Sequence, residues 1–175
     1  MKKVYVSWQD VQRQVQEICR QMLHDRWTPD YVVGITRGGL TAANLISQYL
    51  DVPMETLKVS LREGEKGNCV SDLGMAEDAY DGKNILIVDD INDSGATLNW
   101  IKEDWESFHP SKQEPWLTIW GNSVKIATLY DNEVSESQLP VQYCAETINK
   151  ATDPQWIVFP WEEWWRRWNP QEEHK

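Results

Sequence analysis

The stretch Ile85-Leu86-Ile87-Val88-Asp89-Asp90-Ile91-Asn92-Asp93-Ser94-Gly95-Ala96-Thr97 decides the fold. Its first four residues are branched and apolar with no alternation, which is typical of a strand buried on both faces of a parallel sheet. Three carboxylates and a turn of small residues follow. Apolar residues then recur at helical spacing, so we expect a helix to begin near Thr97. A strand, an acidic loop and a helix N-terminus in this order predict a ligand site at the carboxyl end of a parallel strand.

The residue types in this stretch indicate the chemistry of the ligand. A turn of small residues at a helix start directs backbone N–H groups, with the Ser94 and Thr97 hydroxyls, toward one point where the helix dipole favours a phosphate. Asp89 and Asp90 would repel a phosphate, so we expect them to face ribose hydroxyls or the water shell of Mg²⁺. The Gly-Lys-Ser/Thr element of a Walker loop is absent. The stretch therefore predicts a site for a sugar phosphate with free hydroxyls, together with Mg²⁺.

Residues Val88 to Thr97 resemble the phosphoribosyl-pyrophosphate (PRPP) signature of type I phosphoribosyltransferases. The resemblance implies an α/β fold with a mostly parallel, twisted sheet flanked by helices and a small C-terminal hood. It implies one domain over residues 1–175, with a core at about 4–150 and the hood and tail at about 151–175.

The same resemblance assigns roles to the residues of the signature. Asp89 and Asp90 would hold the ribose hydroxyls and Mg²⁺, directly or through water. The 5′-phosphate would be held by Asp93, Ser94, Gly95, Ala96 and Thr97. Asp93 would also exchange a proton with the acceptor base as general base or acid.

A second candidate anion loop, Thr36-Arg37-Gly38-Gly39, follows the apolar run Tyr31 to Ile35. Two glycines let backbone N–H groups approach an anion closely, and the arginine adds charge. Taken alone, the pattern fits a plain tight turn equally well. The resemblance implies the pyrophosphate loop, and it implies a cis peptide bond between Thr36 and Arg37.

Residues 62–68, after an expected strand at Met54 to Leu61, are charged and rich in glycine, as in an exposed loop. Two interpretations stay open, a solvated hairpin tip and the lid that the resemblance implies. A lid would close over the reactive sugar and exclude water. Arg62 and Lys66 are then candidates for binding pyrophosphate.

The aromatic stretch Gln155 to Glu162 is the second informative part of the chain. By itself it fits an aromatic core. Over roughly residues 4–165, however, the chain resembles the purine branch of the family, the xanthine-guanine and archaeal-type hypoxanthine-guanine phosphoribosyltransferases. That resemblance implies that Trp156 and Ile157 contact a purine base, with the indole ring stacked on it.

One departure from the purine branch concerns the strand expected at Val124 to Tyr130. Those enzymes usually carry a lysine at its end, which donates to the exocyclic oxygen of the base. This chain has Asp131-Asn132-Glu133 there. Asn132 is the candidate base contact. Because its amide can donate as well as accept, an altered or amino-bearing base stays open as an alternative. A further strand is expected at Val141 to Ala145.

Composition excludes several other classes of protein. A net charge of −11 over 175 residues disfavours nucleic acid and anionic membranes as partners. Three widely spaced cysteines fit reduced thiols in a cytoplasmic protein. No apolar run approaches membrane length. Ser7, with Asp10 three residues later, predicts a capped amphipathic helix at the start of the chain.

The leading hypothesis is a purine-salvage enzyme that uses Mg²⁺, PRPP and a purine base to form a nucleoside monophosphate and pyrophosphate, as a homodimer or homotetramer. Two alternatives stay open. One is a non-catalytic regulator of the same fold that senses PRPP or a nucleotide. The other is a phosphoribosyltransferase for a non-purine acceptor. Residues 111–122 look like an insertion with no functional interpretation.

Overall fold

The computed structural model describes residues 1–61, 68–111 and 114–168, which form seven strands and six helices. The strands are β1 (Lys2–Tyr5), β2 (Tyr31–Thr36), β3 (Met54–Lys58), β4 (Ile85–Asn92), β5 (Val124–Asn132), β6 (Tyr143–Ile148) and β7 (Gln155–Val158). The helices are α1 (Trp8–Asp25), α2 (Leu40–Leu50), α3 (Leu73–Tyr80), α4 (Ala96–Glu106), α5 (Trp116–Ile119) and α6 (Trp164–Trp168).

Five parallel strands form the main sheet in the order β3-β2-β4-β5-β6. Strand β4 lies at the centre and pairs with β5 from Ile85↔Val124 to Asn92↔Asp131. Because all the strands are parallel, their carboxyl ends meet at one edge, where ligands bind in sheets of this type. The predicted α/β class with a parallel sheet flanked by helices is confirmed.

Two apolar cores cover the two faces of this sheet. Successive side chains of β4 alternate between them, as the pleat of a strand requires. Leu86 and Val88 pack in one core, with α1 and α2, and Ile85 and Ile87 pack in the other, with α3, α4 and α5. All four side chains are fully buried, which explains the unbroken apolar run in the sequence.

Helix α1 begins as its sequence predicts. The Asp10 amide donates to Ser7 Oγ at 3.1 Å, and the Ser7 amide donates to Asp10 Oδ2 at 2.9 Å, which completes a capping box. The buried stripe of the helix includes Cys19, and burial raises the pKa of that thiol to about 11. Cys19 is therefore a core residue.

The hood contains a strand that the sequence did not assign to it. Strand β1 pairs in parallel with β7, from Lys2↔Gln155 to Tyr5↔Val158. Beyond β7, the rings of Phe159 and Trp161 stack with centroids 4.9 Å apart. The hood therefore joins the N-terminal residues of the chain to a segment near its other end. Among the described helices, none is long and apolar enough to cross a membrane.

Three local features differ from the sequence-based expectations or go beyond them. Helix α3 was not predicted, although Asp72 caps it by accepting from the Met75 amide at 3.0 Å. Strand β6 ends at Ile148, three residues beyond the expected strand. The segment that resembles an insertion contributes to the core, because Trp116 is buried and stacks on Trp120 at 5.6 Å.

Candidate active site

The two adjacent carboxylates lie on β4 itself, because pairing with β5 carries the strand beyond its apolar run to Asn92. Neighbouring residues of a strand point to opposite faces. Asp89 accordingly lines a cavity of about 230 Å³ together with every residue from Ile91 to Leu98. The Asp90 carboxylate instead faces Gly38 of the second anion loop. The acidic pair therefore contacts both of the predicted anion sites.

Both carboxylates of this pair are harder to ionise than an ordinary aspartate. Burial, and then the charge of Asp90, raise the pKa of Asp89 well above its usual value. Burial, and then the charge of Glu162, raise the pKa of Asp90. A bound cation would offset this repulsion, so the pair fits the hard, oxygen-seeking Mg²⁺. In the described ranges, no group of three or more His, Cys, Asp or Glu is arranged to hold a metal ion, so a metal here would need further oxygens from the substrate or water.

The predicted phosphate turn leads directly into α4, which begins at Ala96 and confirms the expected helix start. Gly95 has φ 87°, a left-handed conformation that favours glycine. The first amides of a helix have no partner within it. Residues 93–97 line the cavity, so the start of α4 and its dipole face an anion there, and the Ala96 amide donates to Ser94 Oγ at 3.3 Å.

The loop after β5 packs closely on this turn. A β-carbon on Gly95 would lie 2.3 Å from the amide nitrogen of Ser137, so only glycine fits. The Glu136 amide donates to the Ser94 carbonyl at 3.0 Å, and the Asn99 side chain donates to the Glu136 carbonyl at 3.0 Å. These contacts with the loop after β5 hold the turn in position in the absence of a ligand.

The Thr36–Gly39 loop connects β2 to α2, next to the end of β4. The peptide bond between Thr36 and Arg37 is cis, which confirms that expectation. A β-carbon on Gly38 would lie 2.3 Å from Asp90 Oδ2, and one on Gly39 would lie 2.2 Å from the Val88 carbonyl oxygen. The two glycines therefore let this loop pack directly against β4, while Arg37 is exposed.

Asp93 is held by two residues from neighbouring strand ends. Asn132, which is buried, donates from Nδ2 to the Asp93 carbonyl at 3.0 Å, and its Oδ1 accepts from the Lys150 amide at 3.1 Å. Lys150 Nζ donates to Asp93 Oδ2 at 2.7 Å. The amide of Asn132 therefore already has protein partners, which differs from the open base contact that the sequence suggested.

Lys150 was not predicted from the sequence. Parallel strands end at one edge, so a lysine just after β6 should lie beside the end of β5. The expected end of that strand at Ala145 placed Lys150 five residues away from the edge. The observed pairing Asn132↔Ile148 places it two residues past the last paired position.

The predicted base-stacking residues differ in exposure. Trp156 is 52% exposed, and Lys150 Nζ lies 6.0 Å from the centroid of its ring. Ile157 is only 6% exposed and packs in the core with Phe159, so its side chain is not available to a ligand. The lid candidates Arg62 and Lys66 lie outside the described residues. Leu61, immediately before them, lines the cavity.

The comparisons with known proteins agree with this geometry. The family described as the phosphoribosyl transferase domain matches residues 3–167. A xanthine-guanine phosphoribosyltransferase of Cereibacter sphaeroides is 29% identical over 169 residues, covering 92% of this chain and 87% of that protein. A solved structure of a purine phosphoribosyltransferase from Pyrococcus horikoshii superposes with a TM-score of 0.65 at 27% identity, covering 93% of this chain and 96% of that one. This chain belongs to the phosphoribosyl transferase domain family.

Proposed function

We propose that the protein transfers the 5-phosphoribosyl group of PRPP to a purine base, giving a nucleoside monophosphate and pyrophosphate. The observation that carries this proposal is the contact between Gly38 and the Asp90 carboxylate. Through this contact the Thr36–Gly39 loop lies beside the acidic pair, and Asp89, the other member of the pair, lines the cavity together with residues 93–97. The purine is favoured because similar proteins carry the name xanthine-guanine phosphoribosyltransferase.

In this proposal each part of PRPP has its own contacts. The backbone amides of residues 93–97 and the hydroxyls of Ser94 and Thr97 bind the 5′-phosphate at the start of α4. Asp89 and Asp90 accept hydrogen bonds from the ribose hydroxyls. The Thr36–Gly39 loop binds the pyrophosphate through its backbone, and Arg37 supplies a charge-assisted contact.

Magnesium is proposed as the cofactor. The pKa values of both carboxylates in the acidic pair are raised, and a bound cation would stabilise their ionised forms. Asp89 and Asp90 would hold the ion directly or through water, and the oxygens of PRPP would complete its coordination. When bound, the ion supplies positive charge that stabilises the departing pyrophosphate.

The reaction forms a C–N bond at the anomeric carbon while the C–O bond to pyrophosphate breaks. Positive charge develops on the sugar, and negative charge develops on pyrophosphate beside Arg37 and the amides of Gly38 and Gly39. N9 of the purine forms the new bond, and Asp93 takes the proton that N7 loses. Trp156 stacks on the base and holds it in line with the sugar.

No specific observation favours either alternative hypothesis. A regulator without catalysis would not need Asp93, yet Lys150 Nζ donates to that carboxylate and Asn132 donates to the Asp93 backbone carbonyl. An acceptor other than a purine gains no support from the similar proteins. A cytoplasmic location and a homodimeric or homotetrameric state stay predictions.

A pyrophosphate-release assay tests this function. Purified protein, Mg²⁺ and PRPP are combined separately with hypoxanthine, guanine, xanthine, adenine, 2,6-diaminopurine and uracil. Release that depends on a purine supports the proposal. Release with uracil alone favours the non-purine acceptor. PRPP binding without release on any base favours the regulator.

A further inference from the structure

We propose that Lys150 reads the 6-position of the base, and that it does so from the turn after β6 rather than from the end of β5. This inference rests on the proposed function, because it assigns the base class of the same site. It concerns a residue that neither the sequence pattern nor the PRPP signature includes.

The Lys150 ammonium lies where a base edge would meet the acid–base group. Its Nζ donates to Asp93 Oδ2 at 2.7 Å and lies 6.0 Å from the Trp156 ring centroid. Trp156 exposes half of its surface to a stacking ligand. A base ring stacked on this indole beside Lys150 would present one edge to Asp93 and Lys150 together.

The ammonium also has capacity to bind a ligand. Lysine carries three N–H donors. Within the described ranges, its Nζ makes one hydrogen bond to the protein, to Asp93. Its side chain is only 15% exposed, so the remaining donors are largely shielded from bulk water. A hydrogen bond from this partly desolvated ammonium to an oxygen acceptor is more favourable in free energy than one from an exposed lysine.

The turn that carries Lys150 is fixed in position. Its backbone amide donates to Asn132 Oδ1 at 3.1 Å. Asn149 braces the same turn, donating to Glu133 Oε2 at 3.0 Å and accepting from the Ala151 amide at 3.1 Å. Lys150 is thus held before the base binds, which limits the entropy lost when it forms a new hydrogen bond.

The buried amide of Asn132 cannot serve as this reader at the same time. Its Nδ2 donates to the Asp93 carbonyl at 3.0 Å and to Asp93 Oδ1 at 3.4 Å, and its Oδ1 accepts from the Lys150 amide at 3.1 Å. We assign Asn132 the role of a positioning residue that joins the Asp93 loop to the Lys150 turn. Asn132, at the end of β5, therefore affects the base only by positioning Asp93 and Lys150.

The chemistry of a purine edge specifies what Lys150 would select. Ring nitrogen N7 and the substituent at position 6 are neighbours on one edge, and that substituent is an oxygen acceptor in guanine but an amino donor in adenine. With Asp93 at N7, the adjacent Lys150 meets the 6-substituent. An ammonium can only donate, so it favours a 6-oxopurine and disfavours a 6-aminopurine.

The test compares binding of inosine and adenosine monophosphates, whose bases carry a 6-oxo and a 6-amino group, by calorimetry. We expect Lys150→Met to bind inosine monophosphate about 10- to 100-fold more weakly than the wild type, which is the scale of one charge-assisted hydrogen bond. Its affinity for adenosine monophosphate should change by less than about threefold. Lys150→Arg, which keeps the charge, should retain most of the preference. The ratio of kcat/KM for hypoxanthine and adenine should change in the same way.

Lys125→Met is the matched control. Lys125 also lies over an indole, at 5.0 Å from the Trp27 ring, and donates to the Tyr143 hydroxyl at 3.1 Å. It is seven residues from Asn132 along β5, or about 23 Å away. Lys125→Met should keep the wild-type preference for inosine monophosphate over adenosine monophosphate. That result would show that loss of a half-buried lysine is not by itself sufficient to remove the preference.

Three outcomes overturn the proposal: a wild type that binds the two nucleotides equally, an unchanged preference in Lys150→Met, or an equal loss for both nucleotides. These are separate from failure of the proposed function, which is read from the absence of pyrophosphate release by the wild type. Nucleotide binding reports on Lys150 whether or not turnover occurs.

Discussion

Replacing Asp93 with asparagine tests the assignment of the acid–base group. The amide has nearly the same size as the carboxylate, and its oxygen can still accept from Lys150 Nζ, which lies 2.7 Å from Asp93 Oδ2. The backbone of residues 93–97 is unchanged, so binding of the 5′-phosphate should persist. Only the charge and the ability to take a proton at this position are lost.

The expected magnitudes follow from these contacts. Loss of general acid–base catalysis should lower kcat by about 10²- to 10⁴-fold, or about 3–5 kcal/mol in the barrier. The Asp93 side chain is 46% exposed, so loss of its ion pair with Lys150 should cost about 1 kcal/mol or less in folding stability. That cost corresponds to a fall in Tm of about 2–4 °C at most.

The assay combines steady-state pyrophosphate release with calorimetric PRPP binding in the presence of Mg²⁺. Asp153→Asn is the control, because Asp153 is an exposed carboxylate in the turn that precedes β7. Asp93→Asn should bind PRPP within about fivefold of the wild type, a difference of about 1 kcal/mol. A kcat within about threefold of the wild type would refute the proton-transfer role, since general catalysis contributes at least about 10².

Three further variants test other parts of the account. Gly38→Ala would place a β-carbon 2.3 Å from Asp90 Oδ2 and displace that carboxylate from the site. PRPP should therefore bind about 5- to 150-fold more weakly, a loss of about 1–3 kcal/mol. Gly74→Ala in α3, where the nearest atom to the new carbon is at 3.3 Å, should leave binding unchanged, and equal affinities in the two variants would contradict the packing argument. Trp156→Ala should raise the KM for the base by about 5- to 150-fold and change the KM for PRPP little. Trp164 is also exposed, and Trp164→Ala should change neither KM. An unaltered KM for the base in Trp156→Ala would contradict the stacking role. Ser7→Ala should lower the free energy of unfolding by about 1 kcal/mol through loss of the α1 cap, and an unchanged Tm in thermal denaturation would contradict this.

The central strand and the turn that follows it were predictable because local chemistry determines both. Residues 85–88 are apolar without alternation because β4 is buried on both faces between two parallel neighbours. Gly95 marks the turn because its positive φ and the close approach of Ser137 both require a residue without a side chain. Features of this kind are encoded within a few residues of sequence.

The contacts around Asp93 were not predictable because they depend on the register of distant strands. Lys150 reaches Asp93 across 57 positions of the chain, and its approach depends on where β6 ends. Composition around residues 141–150 places that end only within a few residues. The role of β1 in the hood is similar, since its pairing with β7 joins segments about 150 residues apart.

The most direct measurement of the central claim is chromatographic detection of product after incubation of the purified protein with PRPP, hypoxanthine and Mg²⁺. The account predicts inosine monophosphate and pyrophosphate in equal amounts, and much less product when adenine replaces hypoxanthine. Absence of any nucleotide with every purine, from protein that binds PRPP, would contradict it.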